Sequence, residues 1–300
     1  MGQSNAQVAI EIAAGFLLDQ VKFARRFFDF VDALLLLAVT QANVEWLMRD
    51  PAFQRAYATY KAPPPDSLRR PISVNALAQS LRLPFETVRR RISRLALLGL
   101  LRNSPAGVYV PAAQLQLPGH HKVTDAAFAR ILGLYERLAG LDELKHLAPP
   151  CEAWRGPPPV RAAARIAGEY LLRLIDLLTA KLGDPADAAI WLEILRSNTA
   201  RHSTPYASGL AERLPVRIAV VAKRLGLPAE TVRRRATQLG STGACELGPQ
   251  GLLIPQATLD QPDFSEIAQK NLTYLRHMFT ALGQLGALDG GERGRMQASA

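Results

Sequence analysis

Residues 83–91 read LPFETVRRR, and residues 227–235 read LPAETVRRR, 144 positions later in a chain of 300. The likeness extends without a gap. When Pro71–Leu115 is set against Pro215–Leu259, 18 of 45 positions are identical, among them Leu81/Leu225, Leu95/Leu239, Gly99/Gly243, Gly107/Gly251 and Pro111/Pro255. The chain carries an internal duplication. At the same offset Asp32 faces Asp176, and Trp46 and Trp191 are 145 apart. Ile131, Leu134, Tyr135 and Leu138 match Leu275, Met278, Phe279 and Leu282. Those last four have the i, i+3, i+4, i+7 spacing of one helix face.

Each half therefore reads as two helices, a 45-residue core and a closing helix. The expected division is a first repeat over 1–147, a Pro-rich joint over 148–159, a second repeat over 160–290 and a disordered tail over 291–300. Five prolines in APPCEAWRGPPP (148–159) stop any helix there. Two copies are too few for a solenoid. The long apolar helices around each core predict a pseudo-two-fold pair within one chain.

Inside the first core, Val74, Leu77, Ala78 and Leu81 trace one helix face. A second helix opens at Pro84, a residue tolerated in a first turn because its missing N–H is not needed there. Glu86 follows close to N3, where a carboxylate meets free N–H groups. Val88, Ile92 and Leu95 share about 60° of arc at 100° per residue, with Arg90 and Arg94 opposite. LLRNSPAGVYVP (100–111) then reads as a hairpin around Ser-Pro-Ala-Gly, repeated as ACELGPQGLLIP (244–255).

Helix, turn, helix and hairpin is the winged helix-turn-helix plan. LAQSLRLPFETVRRRISRLALLGLL (77–101) resembles the winged-helix domains of bacterial transcriptional regulators. In element order and length each half resembles a MarR-type protomer, duplicated and fused. The expected fold class is mainly α, with tandem winged helix-turn-helix domains and long flanking helices. The resemblance implies double-stranded DNA as partner, with the second helix of each core in the major groove.

By the helical wheel Arg90 and Arg234 are the base readers, since Arg pairs bidentately with guanine O6/N7. Arg89, Arg91, Arg233 and Arg235 are expected at phosphates, and Thr87 and Thr231 at phosphate or a base edge. Ser93, Arg94 and Gln238 complete the exposed face. Related by a two-fold, the two helices would enter major grooves about 34 Å apart. The alternative for each Arg-rich face is a solvated surface on an interaction-only domain. The turns Asn103–Gly107 and Leu247–Gly251 lack the basic residues such wings usually carry.

Charge agrees with a polyanionic partner: 36 Lys+Arg against 26 Asp+Glu give +10. Hydrophobic content of 48% is that of an ordinary folded chain. Cys151 and Cys245 have no ligand spacing, and adjacent His120 and His121 diverge, so no metal or other cofactor is expected. The sequence lacks P-loop, GxGxxG, HExxH and nucleophile-elbow motifs, and no enzyme is expected. Trp46 and Trp191 are read as core aromatics. Asp32 and Asp176 are read as carboxylates on a helix's polar edge or paired with Arg25 or Arg173.

Val8–Leu18 lacks a basic lead and is broken by Glu11, Ala33–Val39 is too short to span a bilayer, and Ala6 spoils a myristoylation motif. A cytoplasmic protein without membrane contact is expected. One chain would suffice for two half-sites, with further dimerisation and a small-molecule effector left open. A plasmid-type replication initiator and a winged-helix protein–protein adaptor are the alternatives.

Overall fold

The computed structural model of the chain describes residues 4–61, 63–139, 141, 154, 156–199 and 213–288. The joint expected at 148–159 lies partly outside these residues, and the tail expected at 291–300 lies wholly outside them. Among the described residues twelve α-helices and two small antiparallel sheets make the fold mainly α, as expected. None of these helices is long and apolar enough to cross a membrane.

In chain order, α1 (Asn5–Ala24), α2 (Phe30–Val44) and the short α3 (Pro51–Ala56) lead to α4 (Val74–Ser80) and α5 (Phe85–Leu97). The hairpin β1 (Arg102–Ser104) and β2 (Gly107–Tyr109) follows, then the long α6 (Pro118–Leu138). The second half runs α7 (Val160–Leu182), α8 (Pro185–Thr199), α9 (Ile218–Leu225), α10 (Ala229–Ser241), β3 (Glu246–Gly248), β4 (Gly251–Leu253), α11 (Gln256–Leu259) and α12 (Pro262–Gln284). Local chemistry sets several starts. Ser4 caps α1 in a reciprocal box with Gln7, and Ser73 accepts from the Ala76 amide to open α4. Pro84 stands one place before α5 as its N-cap, because its carbonyl accepts the first helical bond, from the Val88 amide at 3.1 Å.

The chain forms two compact units. Unit 1 comprises Met1–Val31 with Leu174–Tyr274, and unit 2 comprises Asp32–Arg173 with Leu275–Ala300. These units divide the chain differently from the sequence repeats. In unit 1, α1 belongs with the second copy's core: Gln7 Nε2 donates to the Leu259 carbonyl at 3.2 Å and to Asp260 Oδ1 at 2.8 Å. In unit 2, the start of α7 belongs with the first copy's core, where Arg161 Nη2 donates to the Leu115 carbonyl at 3.4 Å. Leu115 and Leu259 are counterparts, so α1 and α7 do the same job, each for the other copy. The physical reason is burial. Ala9, Ile10, Ala13 and Leu17 of α1 are fully covered, and so are Ala162, Ala163 and Ala167 of α7; small residues let the helix backbones approach closely.

The repeat also needs a correction. The ungapped spacing sets Asp32 against Asp176, but the fold sets α2 against α8, with Asp32 opposite Asp187. The shared mark is a buried asparagine. Asn43 Nδ2 donates to the Arg70 and Val108 carbonyls (2.8 and 3.2 Å), and its Oδ1 accepts from the Val110 amide at 2.9 Å. Asn198 does the same with Leu214, Leu252 and Ile254 (2.7, 3.1 and 2.9 Å). The segment between Asn43 and Ile72 is 11 residues longer than that between Asn198 and Val216, and α3 lies in the excess. An ungapped comparison slips there. Asp176 is exposed.

The tryptophans are not counterparts either. Trp191 stands where the first copy has Leu36. It is buried, stacks on Phe264 with centroids 5.4 Å apart, and donates to the Ala244 carbonyl at 3.0 Å. Trp46 is half-buried under Arg70 and bonds the Leu68 carbonyl at 3.0 Å. The closing-helix match does have a physical counterpart: in unit 2 the Tyr135 and Phe279 rings meet at 5.2 Å.

Candidate nucleic-acid interface

Each core presents its second helix in the same way. Val88, Ile92 and Leu95 of α5 are buried, as are Val232, Ala236 and Leu239 of α10. The turn before α5 passes through Arg82 at φ 52°, and that before α10 through Gly226 at φ 68°. Behind the helix, the hairpin takes a third strand contact through Ile72 and Val108, repeated by Val216 and Leu252. Gly107 and Gly251 permit that contact. Both have φ 131°, and a Cβ there would sit 2.3 Å from the Ile72 or Val216 carbonyl oxygen. The turns close where expected, at Ser104 opposite Gly107 and Gly248 opposite Gly251.

The expected site residues divide by environment. Arg90 and Arg234 are exposed and form no salt bridge with a described residue. Arg89 and Arg233 are exposed beside a carboxylate one turn earlier: Glu86 lies 2.7 Å from Arg89 Nη2, and Glu230 lies 3.4 Å from Arg233 Nε. The Arg89 hydrogen bond holds the Glu86 carboxyl below its usual range. Ser93, Arg94 and Gln238 are exposed, and Thr87 and Thr231 are half-buried. All eleven lie on α5 or α10. The structure gathers nine of them into two faces, one per unit.

Arg91 and Arg235 turn inward instead. Arg91 Nη1 donates to Asp32 Oδ1 at 2.7 Å, and Arg235 Nη1 to Asp187 Oδ1 at 2.9 Å. Asp32 is 3% exposed and Asp187 4%, so each carboxylate ties the exposed helix to the buried face of α2 or α8. This corrects the reading of Asp32 as a polar-edge group or as one paired with Arg25. Burial raises the Asp187 carboxyl, with Arg235 pulling the other way. Arg235's own burial acts to lower its guanidinium, but the bonds to Asp187 and Asp184 outweigh it and the group is raised.

The two anchors differ in composition. Asp32 also receives Arg94, through Oδ2. In the second copy Gln238 stands in place of Arg94, and Asp184, the sequence counterpart of Asp29, lies 3.3 Å from Arg235.

Sequence reasoning missed Asp184, Asp187, Asn43 and Asn198. A gapped self-comparison of residues 30–44 with 185–199 would have aligned both the aspartates and the asparagines. The hairpin tips carry no basic side chain. At the hairpin base exposed Arg102 is matched by exposed Glu246. His121 stacks on Tyr60 with centroids 4.1 Å apart, and the described residues contain no group of three or more metal-ligating side chains. Cys245 is buried, which pushes its thiol up to about 11.

In comparisons with protein families, curated proteins and solved structures, the chain has no match.

Proposed function

We propose that this chain is a sequence-specific, double-stranded-DNA-binding transcriptional regulator of the cytoplasm, with two winged helix-turn-helix modules similar to those of MarR-type proteins. The observation that carries the reading is the matched pair of arginine faces. In each copy one arginine (Arg91, Arg235) is spent on a buried carboxylate. That leaves its two predecessors (Arg89, Arg90 and Arg233, Arg234) exposed on a helix whose orientation is held. An anchored helix loses less freedom on binding, which favours specific over loose contact. Arg90 and Arg234 would read guanine edges, and Arg89 and Arg233 would meet phosphates. Arg91 and Arg235 then act as positioning residues. Arg94, bonded to Asp32 yet still 55% exposed, would lie beside an outer base, and Gln238 would read adenine at the matching place in the other half-site.

The preferred site is thus an imperfect palindrome, bound by one chain, with the first copy holding its half more tightly. Genome-wide mapping of bound DNA tests this directly, and enrichment at promoters separates a regulator from an origin-binding initiator. In vitro, about six phosphate contacts should give a slope near −5 in log K against log salt. A slope shallower than about −2 rules out a DNA-binding function for these faces.

A further inference from the structure

Unit 2 contains a second cationic cluster, away from α5 and buried. Arg69 has no exposed side-chain surface. Its Nη2 donates to the Pro64 carbonyl at 2.9 Å, while its Nε and Nη1 have no hydrogen-bond partner. Arg161, on the first turn of α7, is also buried. It bonds the Thr59 and Leu115 carbonyls (3.2 and 3.4 Å), but its Nη1 is unpartnered. Arg165, one turn on, reaches the Tyr57 carbonyl at 3.4 Å and leaves Nε and Nη2 buried and unpartnered. The three guanidiniums act on one another. Burial first, then Arg161 and Arg69, lowers Arg165 to about 9.

Of the three guanidiniums, only that of Arg69 has a carboxylate of a described residue within 4 Å. Asp66 lies 3.5 Å from Arg69 Nε but accepts the Ala112 amide at 2.7 Å. Asp125 accepts the Tyr60 hydroxyl at 2.7 Å.

Unit 1 supplies an internal control. Arg213 is the counterpart of Arg69, 144 positions on. Gln7 and Arg161, which bond matching leucine carbonyls, are 154 apart, and that spacing makes Glu11 the counterpart of Arg165. In unit 1 Glu11 pairs with Arg213, and the two side chains are only 13% and 8% exposed. In unit 1 the leading helix therefore gives this guanidinium a buried carboxylate. In the other unit an arginine stands in that carboxylate's place. Buried cations without counter-charge are strongly unfavourable, and a planar guanidinium matches a carboxylate bidentately.

We infer that unit 2 binds a small molecule through its carboxylate, held by Arg69, Arg161 and Arg165 where unit 1 uses Glu11. The site stands whether or not the chain binds DNA.

The test uses the full-length chain, with calorimetric titration and thermal melting in acetate, succinate, inorganic phosphate or chloride at constant ionic strength. The expected result is a saturable heat and a saturable rise in Tm with acetate or succinate and none with chloride. Arg161→Gln, which copies Gln7, should weaken that binding about tenfold or more. Arg165→Glu, which copies Glu11, should raise the Tm in chloride and abolish the response. Should Arg165→Glu fail to fold, Arg161→Gln decides alone. No saturable response to either carboxylate overturns the site, as does unchanged affinity in Arg161→Gln or a full response in Arg165→Glu. Binding of phosphate without either carboxylate overturns the assigned chemistry.

Discussion

The base of α5 sets two arginines, Arg91 and Arg94, on Asp32, whereas the base of α10 sets Arg235 alone on Asp187, with Gln238 where the second arginine would stand. The backbone around them is repeated in detail: the asparagine latch, the glycine at φ 131° and the three-strand contact recur in both copies. The charge is not repeated. The first anchor has one arginine more than the second, Arg94 against Gln238. The pattern continues at the hairpin base, with Arg102 against Glu246, and in the buried arginine sites, where Arg213 meets Glu11 and Arg69 meets more arginine. Packing constrains backbone and apolar side chains tightly, because an interior at crystal-like density tolerates few volume changes. A charge needs only a counter-charge within reach, so it is free to diverge between copies.

The largest effect expected from this contrast is on stability. Asp32→Ala removes a buried acceptor shared by two guanidiniums and should cost about 2–3 kcal/mol in chemical denaturation. Asp187→Ala leaves Arg235 with Asp184 and should cost about 1 kcal/mol. Equal losses would show that the two anchors are energetically alike.

On DNA, Arg90→Ala and Arg234→Ala should each cost about 1–3 kcal/mol on the preferred site and relax base choice in one half of it. The loss should be greater for Arg90→Ala. Footprinting that shows a perfect palindrome with equal losses would remove the proposed asymmetry.

Acid should separate the copies as well. His120, the counterpart of Phe264, is lowered to about 4, by burial first and then by Arg161. Its folded pKa thus lies below the ordinary value of about 6.5. Above that value neither folded nor unfolded chain carries the proton, and stability is full. Between about 6.5 and 4 the unfolded chain takes it up first, so stability falls as pH falls, by about 1–2 kcal/mol for a group not fully covered. His120→Phe, which copies the second half, should flatten urea-melt stability over that window. An unchanged slope would mean that another group carries the acid sensitivity.

The smallest effect concerns the turn before each exposed helix. Arg82 holds φ 52° where the second copy has Gly226. A left-handed conformation is costly for any residue with a Cβ, so the strain relieved in Arg82→Gly should offset the loss of the side chain's own interaction and leave stability no lower than before, with a gain of at most about 1 kcal/mol. A thermal melt that moves downward would show that the Arg82 side chain contributes more than its backbone costs.

Much of this was legible in the sequence. The helices of each core follow from apolar spacing at 3.6 residues, and the hairpins from Ser-Pro-Ala-Gly and its repeat. The outward direction of Arg90 and Arg234 follows from the position of Val88 and Val232 on the same wheel. These are local properties, set by neighbours a few residues away, and an ungapped comparison reads them directly.

Three things were not legible. Asp32 pairs with Arg91 and Arg94, and its counterpart is Asp187, because 11 extra residues in the first copy shift the register between α2 and α4. The leading helix of each copy serves the other copy's unit, since amphipathic spacing tells which face is buried but not against what. Arg69, Arg161 and Arg165 lie 92 and 4 positions apart in the sequence, and nothing local marks them as neighbours. Sequence by itself determined the elements, their repetition and the exposed arginine faces. Only the tertiary structure decided which charges are buried together, because burial and Coulomb energy depend on distance in space rather than on distance along the chain.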